Sequence, residues 1–330
     1  MLWNFFITMR KLFPDYLIIT LKGLAMGAAD VVPGVSGGTI AFISGIYQEL
    51  IDSINNVDIS VLKTLKKDGL KAAWQQVNGG FLLALLTGIF ISVLTFSKII
   101  TQLLASHPIL VWSFFFGLII ASIVLIWKET SNWKLVDILA LVVGIILSYY
   151  ITIARPVSSP DSYWYLFLSG FIAIIAMILP GISGAFILLL MGSYETVIGT
   201  INKFREGIVK FDMAVLGEAL MKLSVFALGA IIGLKSFSKI LHWMFEKHKN
   251  TTLALLIGFM AGSLNKVWPW KQVLETRSNS HGEIVPFLEK SIMPQNFEGN
   301  PQVMTAIILA IIGFVVIFGM EKMASKLGKN

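Results

Sequence analysis

Two stretches of this chain repeat one another, and each is an apolar segment interrupted by helix-breaking residues. The ranges 23–55 and 170–202 are identical at 12 of 33 positions when aligned at an offset of 147 residues. Each contains Pro-Gly followed, after one apolar residue, by Ser-Gly. Such a break in a membrane segment frees backbone N–H and C=O groups, and each costs several kcal/mol in lipid unless it is paired. Paired broken segments in two halves of a chain are typical of a transporter's binding site.

The composition places the chain in a membrane. Of 330 residues, 56% are hydrophobic and 14% charged, and the mean hydropathy is +0.79, so we expect a polytopic membrane protein. The sequence has no cysteine, which excludes disulfides and thiolate chemistry. Its four histidines form no close ligand pattern, and we expect neither a metal nor another cofactor. The net charge of +7 comes mainly from loops beside apolar segments, which indicates membrane topology rather than nucleic-acid binding.

The order of apolar segments predicts an all-α polytopic membrane protein with an inverted-topology repeat. Each half is expected to contain a re-entrant helical hairpin, with two arms of about 15 to 20 residues, and three transmembrane helices. Arms that cross the membrane imperfectly are the alternative to re-entry. The first repeat is assigned to 1–160, with hairpin 15–55 and crossings 79–105, 109–127 and 135–154. The second is assigned to 161–330, with hairpin 162–202, crossings 222–243, 253–267 and 303–320, and external loop 268–301.

A second duplicated segment supports this architecture. The ranges 88–122 and 229–263 match at an offset of 141 residues and share the sequence Phe-Ser-Lys-Ile. Because three crossings per half is an odd number, the second half enters the membrane from the opposite face. If the N-terminus is cytoplasmic, 13 Lys and Arg residues lie in inner segments and seven in outer loops, so both termini are expected in the cytoplasm. A monomer and a homodimer are both compatible with the sequence.

The small residues after each Pro-Gly break are candidates for binding an anion. Ser and Gly at the start of a helix leave N–H groups that suit phosphate or carboxylate. Close packing of two helices is the alternative explanation. Opposed hairpin tips meeting near mid-membrane would place two helix N-termini around one cavity. The predicted breaks are Pro33, Gly34, Pro180 and Gly181, and the predicted phosphate-binding residues are Ser36, Gly37, Gly38, Thr39, Ser183, Gly184 and Ala185.

Three charged residues complete the predicted site. Asp30 is a carboxylate in an apolar hairpin whose counterpart in the repeat is Met177, which favours a role in coupling transport to H⁺ or Na⁺. A carboxylate at the interface, hydrogen-bonded to the loop, is the alternative. Lys98 and Lys239 are equivalent by repeat and, by inversion, lie near opposite membrane faces, where each could meet a lipid phosphate. Snorkelling of the lysines to the interface is the competing explanation.

The runs 27–42 and 179–186, which contain Val-Pro-Gly-Val-Ser-Gly-Gly and Leu-Pro-Gly-Ile-Ser-Gly-Ala, resemble the bacterial and archaeal polyprenyl-phosphate transporter family. The resemblance covers essentially the whole chain. It implies a flippase of the cytoplasmic membrane that returns undecaprenyl phosphate, the lipid carrier of cell-wall precursors, from the outer to the inner leaflet. It also implies that an ion gradient drives transport and that the partner is a polyprenyl-phosphate lipid.

Two other functions use related hairpins. Intramembrane undecaprenyl-pyrophosphate phosphatases carry a similar Pro-Gly-x-Ser motif, but cleaving a phosphoanhydride requires concentrated positive charge. Here Gly37 and Gly184 follow the serines where an arginine would help, so we expect no enzyme. A transporter of small anions, or another ion-coupled transporter, would use the same helix ends without opening sideways to lipid.

Overall fold

The computed structural model describes residues 13–31, 35–157, 159–160, 162–278 and 284–327, and most of them are helical. Helices α1 to α7 are Phe13–Asp30, Gly37–Ile43, Tyr47–Asn56, Ser60–Gln76, Gly79–Ser106, Pro108–Glu129 and Leu135–Ile153. Helices α8 to α12 are Tyr163–Ile178, Gly184–Leu190, Tyr194–Lys210, Met213–Lys247 and Lys249–Ser263. Strands β1 (Lys271–Ser278) and β2 (Ile284–Ser291), a 3-10 turn (Pro294–Asn296) and α13 (Val303–Leu327) complete the described chain.

The sequence repeat is also a structural repeat. Helices α2 and α9 each have seven residues and begin and end at equivalent positions. Each is followed by a glycine with positive φ, Gly45 at +72° and Gly192 at +67°, a conformation that ends a helix. The return arm of each hairpin is therefore a two-turn helix and a sharp turn, not the continuous arm predicted from the sequence. The bend between α9 and α10 is 108°.

Each hairpin packs along the first long helix of its own half through equivalent glycines. Helix α1 lies along α5, and α8 lies along α11. A Cβ at Gly23 would lie 2.2 Å from the carbonyl oxygen of Leu85, and a Cβ at Gly170 would lie 2.3 Å from that of Phe226. Because small residues allow helix backbones to approach this closely, the duplication has preserved the packing as well as the motif.

The two halves are interlocked. Helix α7 packs against α12. Helix α13, the equivalent of α7 in the second repeat, packs against α6. A Cβ at Gly144 in α7 would lie 2.5 Å from the Leu255 carbonyl oxygen, and a Cβ at Gly258 in α12 would lie 2.3 Å from that of Leu141. The two predicted repeats, 1–160 and 161–330, therefore share one core.

Helices occupy all six predicted crossings. Four of the described helices, namely α5, α6, α7 and α11, are long and apolar enough to span a membrane, and the bent pair of α9 and α10 is a fifth candidate. Helix α12 has 15 residues, about 22 Å at the usual helical rise, which is shorter than the ~30 Å hydrocarbon core. The described apolar part of α13 is also short. The protein is thus a helical membrane protein, and six crossings stay a prediction.

The predicted external loop 268–301 contains a β-hairpin that the sequence analysis did not assign. Strands β1 and β2 pair antiparallel, with irregular register around Glu275. The indole N–H groups of Trp268 and Trp270 donate to the carbonyls of Ile292 and Pro301, both at 2.8 Å. These hydrogen bonds join the described residues at the two ends of the loop.

Candidate functional site

The first hairpin tip is built around Ser36. Its hydroxyl accepts a hydrogen bond from the backbone N–H of Gly38 at 3.1 Å, which caps α2, and donates to the carbonyl of Met177 at 3.0 Å. Ser36 and Thr39 are both fully buried. The predicted breaks Pro33 and Gly34 lie outside the described residues. The side chain that caps the first tip thus also contacts the second hairpin.

The second tip contacts the first through its backbone. The N–H of Gly181, where φ is +87°, donates to Thr39 Oγ1 at 2.9 Å. Pro180 beside it is buried. The hydroxyl of Ser183 accepts a longer hydrogen bond, at 3.4 Å, from the N–H of Phe186 at the start of α9. The structure therefore brings together the two predicted tips, 141 to 142 residues apart in sequence.

The tips are also closely packed, which fits the alternative explanation that their small residues allow two helices to pack together. A Cβ at Gly38 would lie 2.4 Å from the carbonyl oxygen of Ile178, and a Cβ at Gly184 would lie 2.6 Å from that of Ala173. Ala185, by contrast, is exposed. Close packing explains Gly38 and Gly184 whether or not a ligand binds, so the role of these residues in phosphate binding stays a prediction.

Asp30 is part of the first tip. Its Oδ1 accepts a hydrogen bond from the N–H of Gly37 at 2.6 Å, and a Cβ at Gly37 would lie 2.5 Å from Oδ2. A carboxylate of the same hairpin thus lies where an anion at the start of α2 would bind. Asp30 has a structural role as a partner of this loop, and its role in ion coupling stays a prediction.

The structure describes the side chain of only one of the two predicted lysines, Lys98 and Lys239. Lys239 is exposed on α11, next to Ser238, whose hydroxyl donates to Asn55 Oδ1 at the end of α3. The neighbouring Lys235 donates to the carbonyls of Ile54 and Asn55 at 2.8 and 2.6 Å. The side chain of Lys98 lies outside the described residues. Lys239 is therefore not at the tips, and the role of both lysines in headgroup binding stays a prediction.

Lys266 is a basic residue beside the second tip that the sequence analysis did not single out. Its Nζ lies 4.4 Å from the ring centroid of Phe186 and 3.5 Å from Glu289 Oε2. Lys266 shares a cavity with Ser183 at the tip and with Ser148 and Thr152 of α7. One signal pointed to it: Lys266 lies within the apolar segment 253–267, where a charge is unusual.

The β-hairpin adds a second lysine to this region. Lys271, outside the membrane-spanning segments, lies 3.5 Å from the same Glu289 oxygen, and its Nζ is 3.5 Å from the ring centroid of Trp112 in α6. Burial lowers the pKa of the Lys271 ammonium to about 7, and the nearby Glu289 carboxylate opposes that shift. Glu289 is therefore shared between two ammonium groups.

The site offers donors rather than metal ligands. Within the described ranges, no group of three or more His, Asp or Glu residues is placed to hold a metal ion. One histidine–carboxylate pair among the described residues, His242 Nδ1 to Asp52 Oδ1 at 2.7 Å, joins α11 to α3 and lies beyond the turn at Gly45. The N–H groups of Gly37, Gly38 and Gly181 donate to Asp30, Ser36 and Thr39. These donors, with the serine hydroxyls and a nearby ammonium, would suit an anionic oxygen that replaces their present partners.

Comparison with known proteins identifies the family of this chain. A family model described as undecaprenyl phosphate translocase-like matches residues 26–285. A polyprenyl-phosphate transporter of Vibrio cholerae serotype O1 is 46% identical over 94% of this chain and 98% of its own length. A polyprenyl-phosphate transporter of Staphylococcus aureus is 34% identical over 76% of this chain and 85% of its own. No solved structure shows a significant match. The chain belongs to the undecaprenyl phosphate translocase-like family.

Proposed function

We propose that this protein is a flippase that returns undecaprenyl phosphate from the outer to the inner leaflet of a bacterial or archaeal cytoplasmic membrane. The names of its relatives in Vibrio cholerae and Staphylococcus aureus support the substrate. The observation that carries the proposal is the direct contact between two repeated hairpin tips, through Ser36 with Met177 and Gly181 with Thr39. A transporter with inverted repeats binds its substrate at such a meeting point.

In this proposal, the phosphate binds between the tips and replaces hydrogen bonds that the tips make to one another. Ser36 and Ser183 supply hydroxyls, and the residues after them supply peptide N–H groups. Because α2 and α9 have only seven residues each, we assign the binding to these local donors rather than to a long helix dipole. The polyprenyl tail stays in the lipid and passes sideways, where helices α5 and α11 expose apolar side chains such as Leu94 and Ile231.

Alternating access follows from the inversion of the two halves. With both termini in the cytoplasm, α9 leads from its tip towards the outer face, and α2 leads from its tip towards the inner face. Opening beside α9 would admit the headgroup, and opening beside α2 would release it. Coupling to H⁺ or Na⁺ is assigned to Asp30, which has no acidic counterpart in the second tip.

Exchange in proteoliposomes tests the function. Labelled undecaprenyl phosphate is incorporated in both leaflets, and a membrane-impermeant phosphatase added outside reports the outer fraction over time. We expect the purified protein to expose the whole pool to the phosphatase, whereas liposomes without protein expose about half. An outer fraction that stays at the value for empty liposomes would contradict the proposal.

Two further substrates separate the alternative functions. Release of inorganic phosphate from undecaprenyl pyrophosphate by the protein alone would identify a phosphatase. Uptake of inorganic phosphate without exchange of the lipid would identify a small-anion transporter. We expect no phosphatase activity, because the described parts of the tips contain no arginine and no cluster of metal ligands. We expect no uptake of inorganic phosphate, because the relatives are named for the lipid substrate.

A further inference from the structure

A cavity beside the second tip contains a buried hydroxyl with no internal partner. The cavity is lined by Ser148 and Thr152 of α7, by Gly181, Ile182 and Ser183 of the tip, and by Phe186 and Lys266. Ser148 Oγ is buried and makes no hydrogen bond within the described part of the chain. Buried hydroxyls are nearly always paired in native proteins. The orphaned hydroxyl of Ser148 therefore marks a place that suits a polar ligand.

Lys266 supplies positive charge to the same cavity. Its side chain is 13% exposed, which is low for a lysine. Its distance of 3.5 Å to Glu289 is longer than the ~2.7–2.9 Å of a charge-assisted hydrogen bond. The ion pair is thus loose, and the ammonium retains the capacity to donate to a second anion.

The carboxylate of Glu289 has a second lysine beside it when Lys266 turns away. Lys271 lies at the same 3.5 Å from Glu289 Oε2. If an anion takes Lys266, the carboxylate still lies beside Lys271, which is charged up to its pKa of about 7. Up to about that pH, Glu289 is not left without a counter-ion, which would be costly. The arrangement allows an incoming phosphate to replace Glu289 at Lys266 without stranding a charge.

In the proposed orientation, Lys266 lies at the side of the cavity nearer the outer face of the membrane. Lys266 follows the end of α12 and leads into the loop 268–301, which is external when both termini are cytoplasmic. The position equivalent to Lys266 in the first repeat is Leu125, so the inner side has no lysine at this place. The volume of the cavity is about 10 Å³, room for about one water, so a phosphate requires Phe186 and Lys266 to separate.

We propose that Lys266, Ser148, Thr152 and Ser183 form an outward-facing subsite that captures the phosphomonoester headgroup of a polyprenyl phosphate before it reaches the tips. The carboxylate of Glu289 pairs with the ammonium of Lys266 until the headgroup arrives. This inference rests on the proposed function and assigns the capture step to one side of the membrane. It also gives a role to the lysine that follows the short, apolar helix α12.

Binding to the purified protein tests the subsite without requiring transport. Farnesyl phosphate is the probe, titrated against the full chain in nanodiscs. We expect Lys266→Gln to weaken its binding about tenfold or more and Ser148→Ala about two- to tenfold, from the loss of a charged and a neutral hydrogen bond. Lys290→Gln removes an exposed charge one residue from Glu289 and is the matched control, with less than about a twofold change. Glu289→Gln should strengthen binding, because it removes the competing carboxylate.

The outcomes distinguish failure of the proposed subsite from failure of the proposed function. Unchanged farnesyl phosphate affinity in a folded Lys266→Gln protein would overturn the subsite, even if the wild-type protein exchanges undecaprenyl phosphate normally. Lys266-dependent binding of inorganic phosphate that is as tight as that of farnesyl phosphate would overturn the lipid assignment. In sealed proteoliposomes with uniformly oriented protein, Lys266→Gln should raise the KM for lipid in the outer leaflet more than the KM for lipid in the inner leaflet. An equal change in both KM values would overturn the outward-facing assignment. Failure of the wild-type protein to exchange the lipid would instead contradict the proposed function.

Discussion

The N–H of Gly37 donates to the carboxylate of Asp30 at 2.6 Å, at the start of α2. In the second repeat the position of Asp30 is held by Met177, whose backbone carbonyl accepts the Ser36 hydroxyl. The two tips therefore differ in one respect that matters for an anion: the first carries its own carboxylate, and the second does not. A phosphate that binds the Gly37 N–H must displace Asp30, so headgroup and carboxylate compete for one donor.

Gly38→Ala tests whether contact between the tips is required. The added Cβ would lie 2.4 Å from the carbonyl oxygen of Ile178, and the backbone on both sides leaves little freedom to adjust. Overpacking of this kind costs about 1–3 kcal/mol, and we expect a loss of lipid exchange in proteoliposomes. Gly199→Ala, where a Cβ meets nothing within 4 Å, is the control. Wild-type exchange by Gly38→Ala would show that the tips need not touch.

Thr39→Val tests the hydrogen bond from the Gly181 N–H. Valine keeps the shape of the side chain but leaves that buried N–H without its acceptor, which costs about 1–3 kcal/mol. We expect a lower apparent Tm in detergent and slower exchange, whereas Thr39→Ser, which keeps the hydroxyl, should stay close to wild type. If valine and serine lower the Tm equally, the methyl group and not the hydrogen bond is what matters.

The sequence repeat predicted the tips, but it could not predict what they contact. Identities at offset 147 place α2 and α9 at equivalent positions because Gly and Pro act locally on the backbone. The partner of Ser36 is the backbone carbonyl of Met177, and a carbonyl leaves no signature in residue type. Lys266 approaches Phe186 only after folding. The sequence did not predict the β-hairpin because its base is joined by hydrogen bonds from tryptophan side chains rather than by a run of apolar residues.

Lys271→Met tests the buried ammonium at the β-hairpin. The pKa of Lys271 is about 7 in the folded protein and has an ordinary value of 10.5, so between these pH values the unfolded chain binds more protons. Stability from this group therefore rises with pH over that window and is lowest near and below pH 7. We expect the apparent Tm of the wild type to rise more between pH 7 and 9 than that of Lys271→Met. Lys290→Met is the control, and equal slopes in all three proteins would contradict the lowered pKa.

Asp30→Asn tests energy coupling at the first tip. Asparagine has the size of aspartate, and its Oδ1 can still accept the Gly37 N–H, so the tip keeps its hydrogen bond. What is lost is the charge that, in our proposal, binds H⁺ or Na⁺ and competes with the phosphate for that N–H. Without an ion-responsive group, a carrier equilibrates its substrate but cannot concentrate it, because no ion then distinguishes its two states.

We therefore expect Asp30→Asn to exchange labelled polyprenyl phosphate at equilibrium but not to accumulate it in one leaflet when a pH or Na⁺ difference is imposed across proteoliposomes. Asp68→Asn removes an equal charge from an exposed position on α4 and should behave as wild type. Gradient-driven accumulation at the wild-type rate in Asp30→Asn would leave Asp30 with only its structural role at the loop. Loss of equilibrium exchange as well would mean that the carboxylate charge is needed to form the site itself.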